Sequence, residues 1–143
     1  MRQITDTIDI QAPAHDVYRA LRALDAYPGW LGHSVVYRGT RLRSPEGSAF
    51  YEDATTVGRM RGELLEEVPD HALHFHQAVR SGGVDADIRY TVDAAGPVTR
   101  VTRVGELTTH GAFRAMQPVL VRMAAAESRR TMRALKQHIE HPG

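Results

Sequence analysis

The feature that most constrains the fold is one long amphipathic stretch near the C-terminal end, over residues 113–139. About 25 helical residues at 1.5 Å each give a rod of about 37 Å, which is longer than most helices of globular proteins. Pro118 lies in the first turn of this helix or kinks it. A helix of this length with one apolar face needs a broad surface to pack against. The apolar positions are Met116, Leu120, Met123, Ala124, Met132, Leu135 and Ile139.

The N-terminal segment predicts a strand with one buried face, followed by two short helices. Ile4, Ile8 and Ile10 alternate with polar residues, and Asp6 falls on the same face as these isoleucines. A proline at position 13 favours the start of a helix, and apolar residues then follow helical spacing. Glycines near residue 31 keep the second helix short.

The middle of the chain alternates between strand patterns and turn signals. Residues 39–47 are predicted as a polar loop that contains the turn sequence Ser44-Pro45-Glu46-Gly47. Further turn signals fall at residues 81–83 and 94–97, so successive strands form an antiparallel meander. The predicted strands span residues 35–38, 49–57, 60–68, 72–79, 84–92 and 98–107.

Together these elements predict an α+β fold. A curved antiparallel sheet of six to seven strands wraps around the long C-terminal helix, and two short helices follow the first strand. The 143 residues suit one domain, residues 1–143, with its own core. Where the sheet is wider than the helix needs, the gap between them becomes a pocket.

The composition excludes several classes of function. A formal net charge of +1 gives no general attraction to nucleic acid or anionic membranes, and the absence of cysteine excludes disulfides and thiolate metal sites. The N-terminus lacks the apolar core of a signal peptide, and the apolar stretch at residues 118–126 is too short to span a bilayer. We therefore expect an unprocessed cytoplasmic protein with no cofactor, no nucleic-acid partner and no stable membrane insertion.

Several segments carry a resemblance to a known superfamily. Residues 8–18 resemble the first strand and helix of the START-like (helix-grip, SRPBCC) superfamily, and residues 24–31 resemble its second helix. Residues 62–69, 99–103 and 129–136 are similar to later strands and to the terminal helix. The nearest branch is the polyketide cyclase/dehydratase-like one. The resemblance implies a hydrophobic cavity for lipids, sterols, polyketides or aromatic products; some members catalyse cyclisation, and many only bind or carry.

The predicted inward strand faces and the N-terminal half of the long helix supply the candidate site residues. Gln77 and Arg103 are the polar members, and an inward Arg103 is the candidate catalytic group because it could stabilise an oxyanion. The alternative is that these residues are core, with Arg103 paired or turned outward by a bulge. The candidate ligand-binding residues are Trp30, Tyr51, Phe75, Gln77, Ile88, Tyr90, Phe113, Met116, Leu120 and Met123.

Three carboxylates are candidate general bases, because a buried carboxylate with a raised pKa could remove a proton next to a ketone. They are Asp6, Glu52 and Asp53. The interpretation that the sequence favours is structural. It leaves Asp53 solvated and pairs Asp6 with a basic residue.

The histidines give weaker signals. His74 and His76 lie two apart on one strand face, which favours a solvent-exposed pair over a zinc site, so no metal is predicted. His33 and His110 fall near element ends, where a hydrogen-bonded loop histidine is the default interpretation.

Three functions stay open on this sequence. The first is a non-catalytic carrier of a hydrophobic small molecule, of lipid or quinone type. The second is a polyketide cyclase, aromatase or dehydratase that uses polar groups in the same cavity. The third is a protein-interaction module, and a homodimer is left open. Convergent polar groups with shifted pKa values in the cavity would favour the enzyme.

Overall fold

In the computed structural model, which describes residues 2–44 and 47–142, seven strands form one sheet beside a long C-terminal helix. Two short 3₁₀ helices, Leu24–Ala26 and Gly111–Met116, precede α2 and α3. The elements are β1 Arg2–Ile10, α1 Ala14–Arg22, α2 Tyr27–Leu31, β2 Tyr37–Ser44, β3 Gly47–Thr55, β4 Gly58–Val68, β5 Ala72–Val79, β6 Val84–Ala95, β7 Val98–Thr109 and α3 Gln117–Glu140.

The sheet is an antiparallel meander with its first strand returned to one edge. The strand order is β1-β7-β6-β5-β4-β3-β2, and every neighbouring pair is antiparallel. The alternation that predicts β5 is confirmed, because Leu73, Phe75, Gln77 and Val79 are all buried while the residues between them are less so. The predicted fold class is therefore confirmed.

The long helix covers the concave face of the sheet, as its apolar stripe predicts. Met132 and Leu135 are buried against the sheet, and Pro118 lies in the first turn rather than at a kink. The ammonium of Lys136 donates to the carbonyl of Asp9 at 2.6 Å and also binds Glu140, so the helix is fixed to the end of β1.

The prediction of a polar loop over residues 39–47 is wrong. The structure extends β2 through Ser44 and pairs Thr40 with Asp53 and Leu42 with Tyr51. A register shift lies between Tyr37 and Gly39, and this break in the alternation hides the strand pattern. Of the predicted turn at residues 44–47, positions 45 and 46 lie outside the described residues.

The buried side chains form two clusters rather than one continuous core. The larger cluster joins α1, α2 and the C-terminal half of α3 to the sheet, and includes Val17, Leu21 and Leu135. The smaller one surrounds Leu120 at the N-terminal end of α3 and includes Met60. The space between the two clusters contains the cavity described next.

Candidate functional site

A cavity of about 200 Å³ lies between the concave face of the sheet, α2 and the N-terminal half of α3. Both core clusters contribute to its walls. Most of the lining is apolar, so the cavity favours an apolar guest; among these residues are Leu31, Phe75, Ile88, Leu107, Leu120 and Met123. Its volume is below the roughly 300–1,000 Å³ of typical ligand pockets, which suits a compact ligand or part of a longer one.

One wall of the cavity is polar, because inward-facing positions on several strands carry polar side chains. Arg103 on β7 pairs with Tyr90 on β6, and its Nε donates to the Tyr90 hydroxyl at 3.1 Å. Tyr51 on β3 donates from its hydroxyl to Oε1 of Gln77 on β5 at 2.8 Å. No bulge displaces Arg103, so the side chain joins the cavity lining rather than turning outward.

Asp53 on β3 is the acidic group of this wall. Its Oδ1 accepts a hydrogen bond from the Thr40 hydroxyl at 2.7 Å. Burial raises the pKa of Asp53 to about 6, although the Thr40 hydrogen bond, the charge of Arg103 and the amide of Gln77 oppose this rise. The prediction that Asp53 is solvated is wrong, because the sheet curves over it and the side chain lines the cavity.

Two tyrosines of the cavity lining, Tyr37 and Tyr51, remain neutral near pH 7. Burial raises the pKa of Tyr51 well above its ordinary value, and it raises the pKa of Tyr37 to about 12. Each hydroxyl therefore keeps its proton and can donate one hydrogen bond. The polar wall thus combines one cation, one titratable carboxyl and several neutral donors.

The other two predicted bases lie elsewhere. Glu52 points to the outer face, where Arg41 binds it at 2.9 Å and where Arg59 and Arg61 lie nearby. The hydrogen bond from Arg41 holds the pKa of Glu52 below its ordinary value, which opposes a role as a base. The prediction that Asp6 pairs with a basic residue is wrong. Its Oδ2 is buried without a hydrogen-bond partner among the described residues.

The structure brings eight of the eleven predicted site residues to the cavity wall. These are Tyr51, Phe75, Gln77, Ile88, Tyr90, Arg103, Leu120 and Met123. The remaining three lie away from the lining. Trp30 stacks on His138 of α3 at a centroid distance of 5.8 Å, Phe113 covers the backbone of Gly83, and Met116 is 48% exposed.

Sequence reasoning missed Thr40 and Tyr37, which belong to the cavity lining. Both lie in or next to the segment predicted as a loop. Thr40 and Leu42 lie two residues apart, on one face of β2, and this spacing was the available signal. The register shift between Tyr37 and Gly39 interrupts the alternation and obscured the strand. Glu127 and Thr131 of α3 also line the cavity, since the helix presents more than its apolar stripe there.

The histidines stand apart from the cavity. On the outer face of the sheet, His74 Nε2 and His76 Nδ1 lie 2.9 Å and 3.2 Å from the same oxygen, Oδ1 of Asp87. Burial raises the pKa of Asp87, but the two histidine hydrogen bonds outweigh it and leave this pKa below its ordinary value. His110 Nε2 lies 3.0 Å from Asp85 Oδ2. Residues 2–44 and 47–142 contain no cluster of three or more His, Asp or Glu suited to a metal ion.

A curved antiparallel sheet that grips a long C-terminal helix around a mostly apolar cavity defines the helix-grip class of START-like proteins. Within that class, the sequence matches one particular family. The profile of the family "Polyketide cyclase / dehydrase and lipid transport" matches residues 1–140, and the chain belongs to this family. None of the curated protein sequences matches the chain.

Solved structures of low sequence identity share the fold. The ZhuI aromatase/cyclase from Streptomyces sp. R1128 has a TM-score of 0.78 and 14% identity, with 97% of this chain and 93% of that chain covered. A START superfamily protein from Mycobacterium smegmatis has a TM-score of 0.76 and 12% identity, with 99% of each chain covered.

A larger relative contains the fold as one part. The di-domain ARO/CYC BexL from the BE-7585A biosynthetic pathway has a TM-score of 0.76 and 20% identity. The match covers 98% of this chain and 47% of that protein, so the chain spans about half the length of BexL. Separately, none of the described helices combines the length and apolarity needed to cross a bilayer.

Proposed function

We propose that the chain binds a compact, mostly apolar small molecule that carries oxygen groups, of polyketide or aromatic type. The observation that carries this proposal is the cavity itself, in which apolar walls face one polar wall built from Asp53, Gln77 and Arg103. Membership of the polyketide cyclase/dehydrase and lipid transport family supports it. A cytoplasmic location, one domain over residues 1–143 and action without nucleic acid remain proposals from the composition.

The apolar walls supply affinity and the polar wall supplies orientation. A guest that buries about 250 Å² of apolar surface gains about 6 kcal/mol before the costs of association are subtracted. The polar groups then select a ligand whose oxygen atoms meet them, because a buried donor left without a partner costs about 1–3 kcal/mol. Arg103 donates from its Nε to Tyr90, and among the described residues no hydrogen-bond partner occupies its two terminal nitrogens, so both can meet a ligand oxygen.

A second candidate function is catalysis in the same cavity, and the raised pKa of Asp53 favours it. With a pKa of about 6, the carboxyl is mostly ionised at pH 7 and basic enough to take a proton. Asp53 would remove a proton from the carbon next to a ligand carbonyl. The electron pair of the broken C–H bond moves into an enolate, and the enolate oxygen accepts hydrogen bonds from Arg103. The proton on Asp53 returns to the product.

The test of binding compares two probes of similar size, 2-acetylnaphthalene and 2-ethylnaphthalene, of which only the first carries a carbonyl oxygen. Calorimetry of the full chain measures the Kd for each. Replacing Arg103 by Met should weaken 2-acetylnaphthalene binding about tenfold, the loss of about one net hydrogen bond, and leave 2-ethylnaphthalene within about twofold. Arg100→Met is the matched control on the same strand, since Arg100 is exposed and bound to Asp9.

The outcomes separate the alternatives. Equal losses for both probes, or no loss for either, would remove Arg103 from the site. Failure of the unmodified chain to bind any member of a wider hydrophobic panel would count against both carrier and enzyme and leave the interaction module. Exchange of deuterium into 2-acetylnaphthalene at the methyl group, abolished by Asp53→Asn and retained in Asp93→Asn, would establish the catalytic function. Asp93 is an exposed residue of β6.

A further inference from the structure

Three side chains form a continuous hydrogen-bonded chain that ends at the acid of the cavity. The hydroxyl of Tyr37 lies 2.7 Å from Oγ1 of Thr40, and Oγ1 of Thr40 lies 2.7 Å from Oδ1 of Asp53. Tyr37 and Thr40 are buried in β2, and Thr40 is the direct cross-strand partner of Asp53. We refer to these three residues as the relay.

An irregularity in β2 makes the relay possible. Residues three apart in a regular strand point to opposite faces of the sheet. The register shift between Tyr37 and Gly39 adds one residue to β2, and Gly39 there has a φ of 132°, which favours glycine. The shift therefore brings Tyr37 and Thr40 onto the same face, where their hydroxyls meet. The irregularity therefore sets the geometry of the cavity wall as well as the pairing of β2 with β3.

The direction of the two hydrogen bonds follows from the chemistry of the groups. An ionised carboxylate only accepts hydrogen bonds, so Thr40 must donate to Asp53. A hydroxyl has one hydrogen, so Thr40 must in turn accept from Tyr37. Tyr37 keeps its proton because burial raises its pKa to about 12. While Asp53 is ionised, both hydrogen bonds of the relay point the same way: Tyr37 donates to Thr40, and Thr40 donates to Oδ1 of Asp53.

We propose that Thr40 is a positioning residue for Asp53, and that Tyr37 fixes the Thr40 hydroxyl so that the carboxylate keeps one orientation on the cavity wall. The proposal rests on the proposed function in one respect, since it assumes that the cavity holds the ligand. It deepens that function because it explains how an acid in a mostly apolar cavity keeps one orientation and one preferred charge.

Other charged and titratable groups act on Asp53 or share its cavity, and the relay has to be tested against them. Arg103 on β7 favours the ionised carboxylate by its charge, as the amide of Gln77 does by hydrogen bonding. The remaining groups on the elements around the cavity are Tyr27 of α2, Tyr51 of β3, Tyr90 of β6, Glu106 of β7 and Glu127 of α3. None of these is changed by a substitution at Thr40, so such a substitution isolates the relay.

The experiment is a titration of the Asp53 carboxyl carbon by NMR in the ligand-free full chain, with Asp53→Asn used to assign the signal. In Thr40→Val the midpoint should rise by about one pH unit, because a hydrogen bond to the ionised form is lost without a change in shape. Thr40→Ser keeps the donor and should stay within about 0.3 unit of the unmodified chain. Tyr37→Phe should give a smaller rise than Thr40→Val, since the Thr40 hydroxyl loses its fixed orientation.

The controls separate a positioning role from a structural one. An unchanged midpoint in Thr40→Val would overturn the proposal, and so would a shift in Thr40→Ser as large as that in Thr40→Val. Because the titration uses no ligand, it can succeed even if the naphthalene probes do not bind, in which case only the proposed function fails. If the probes bind and the titration does not move, the proposed function stands and the relay does not.

Discussion

Gly62 offers the sharpest test of how the cavity wall is built. It lies in β4 directly between Tyr51 of β3 and Gln77 of β5, which are its cross-strand partners on the two sides. The Tyr51 ring lies over Gly62, and its hydroxyl reaches Gln77 at 2.8 Å. A Cβ at position 62 would lie 2.1 Å from Cζ of Tyr51, far inside ordinary contact. Only glycine lets the ring cross the sheet at this point.

The expected cost of Gly62→Ala follows from this geometry. The ring must move by more than 1 Å, which strains the packing by about 1–3 kcal/mol and breaks a buried hydrogen bond worth about 1–3 kcal/mol. The loss of backbone freedom in the unfolded chain returns about 0.5–1 kcal/mol. We therefore expect the free energy of unfolding to fall by about 3 kcal/mol, which lowers Tm by about 9 °C in a chain of this size.

Urea unfolding followed by tryptophan fluorescence measures this change, and Gly29→Ala is the matched control. Gly29 has no atom within 4 Å of an added Cβ and no positive φ. Tyr51→Leu should remove most of the penalty, so that Gly62→Ala costs less than about 1 kcal/mol in that background. If Gly62→Ala and Gly29→Ala changed the free energy of unfolding equally in the unmodified background, the argument that the Tyr51 ring requires glycine at position 62 would be refuted.

Two further predictions concern Asp53 and Arg130. Because burial raises the pKa of folded Asp53 from 3.8 to about 6, its contribution to stability is present below pH 3.8 and lost as the pH rises through about 6. Asp53→Asn should therefore stabilise the chain more at pH 7 than at pH 4, by about 2 kcal/mol, as measured by urea unfolding across this range. Arg130 donates to the carbonyls of Leu31 and Gly32. Arg130→Met should therefore lower stability by about 1–3 kcal/mol and speed amide hydrogen exchange in residues 32–37.

Each of these has its own control. For Asp53, the exposed Asp93 gives the comparison, and a stabilisation by Asp53→Asn that stayed constant from pH 4 to pH 7 would contradict the burial of its carboxyl. For Arg130, the exposed Arg133 of the same helix gives the comparison. Exchange rates in residues 32–37 that rose equally in Arg130→Met and Arg133→Met would show that Arg130 does not hold this segment.

Much of the architecture could be predicted from the sequence because it depends on local periodicity. The stripe from Met116 to Ile139 predicts one long helix, and the alternation from Leu73 to Val79 predicts a strand with one buried face. Turn residues between successive strands predict the antiparallel order. These signals lie within a few residues of one another, so no knowledge of distant contacts is needed to interpret them.

The basic residues of the last helix show what local periodicity does not predict. These residues do not all face solvent, because Arg130 donates to the carbonyls of Leu31 and Gly32 and Lys136 donates to the carbonyl of Asp9. All three partners are about a hundred residues or more away in the chain. A periodic pattern gives the face on which a residue lies, but it does not give the group that the face will meet.

The sequence by itself determined the order of the helices and strands and the extent of most of them, but not the extent of β2. Only the tertiary structure decided that Asp53 is buried beside Arg103 and that Thr40 and Tyr37 reach it. The reason is physical. One added residue in β2 reverses which face its side chains occupy, and the curvature of seven strands decides which faces converge. Both are properties of the assembled sheet, so they have no signature within a single strand.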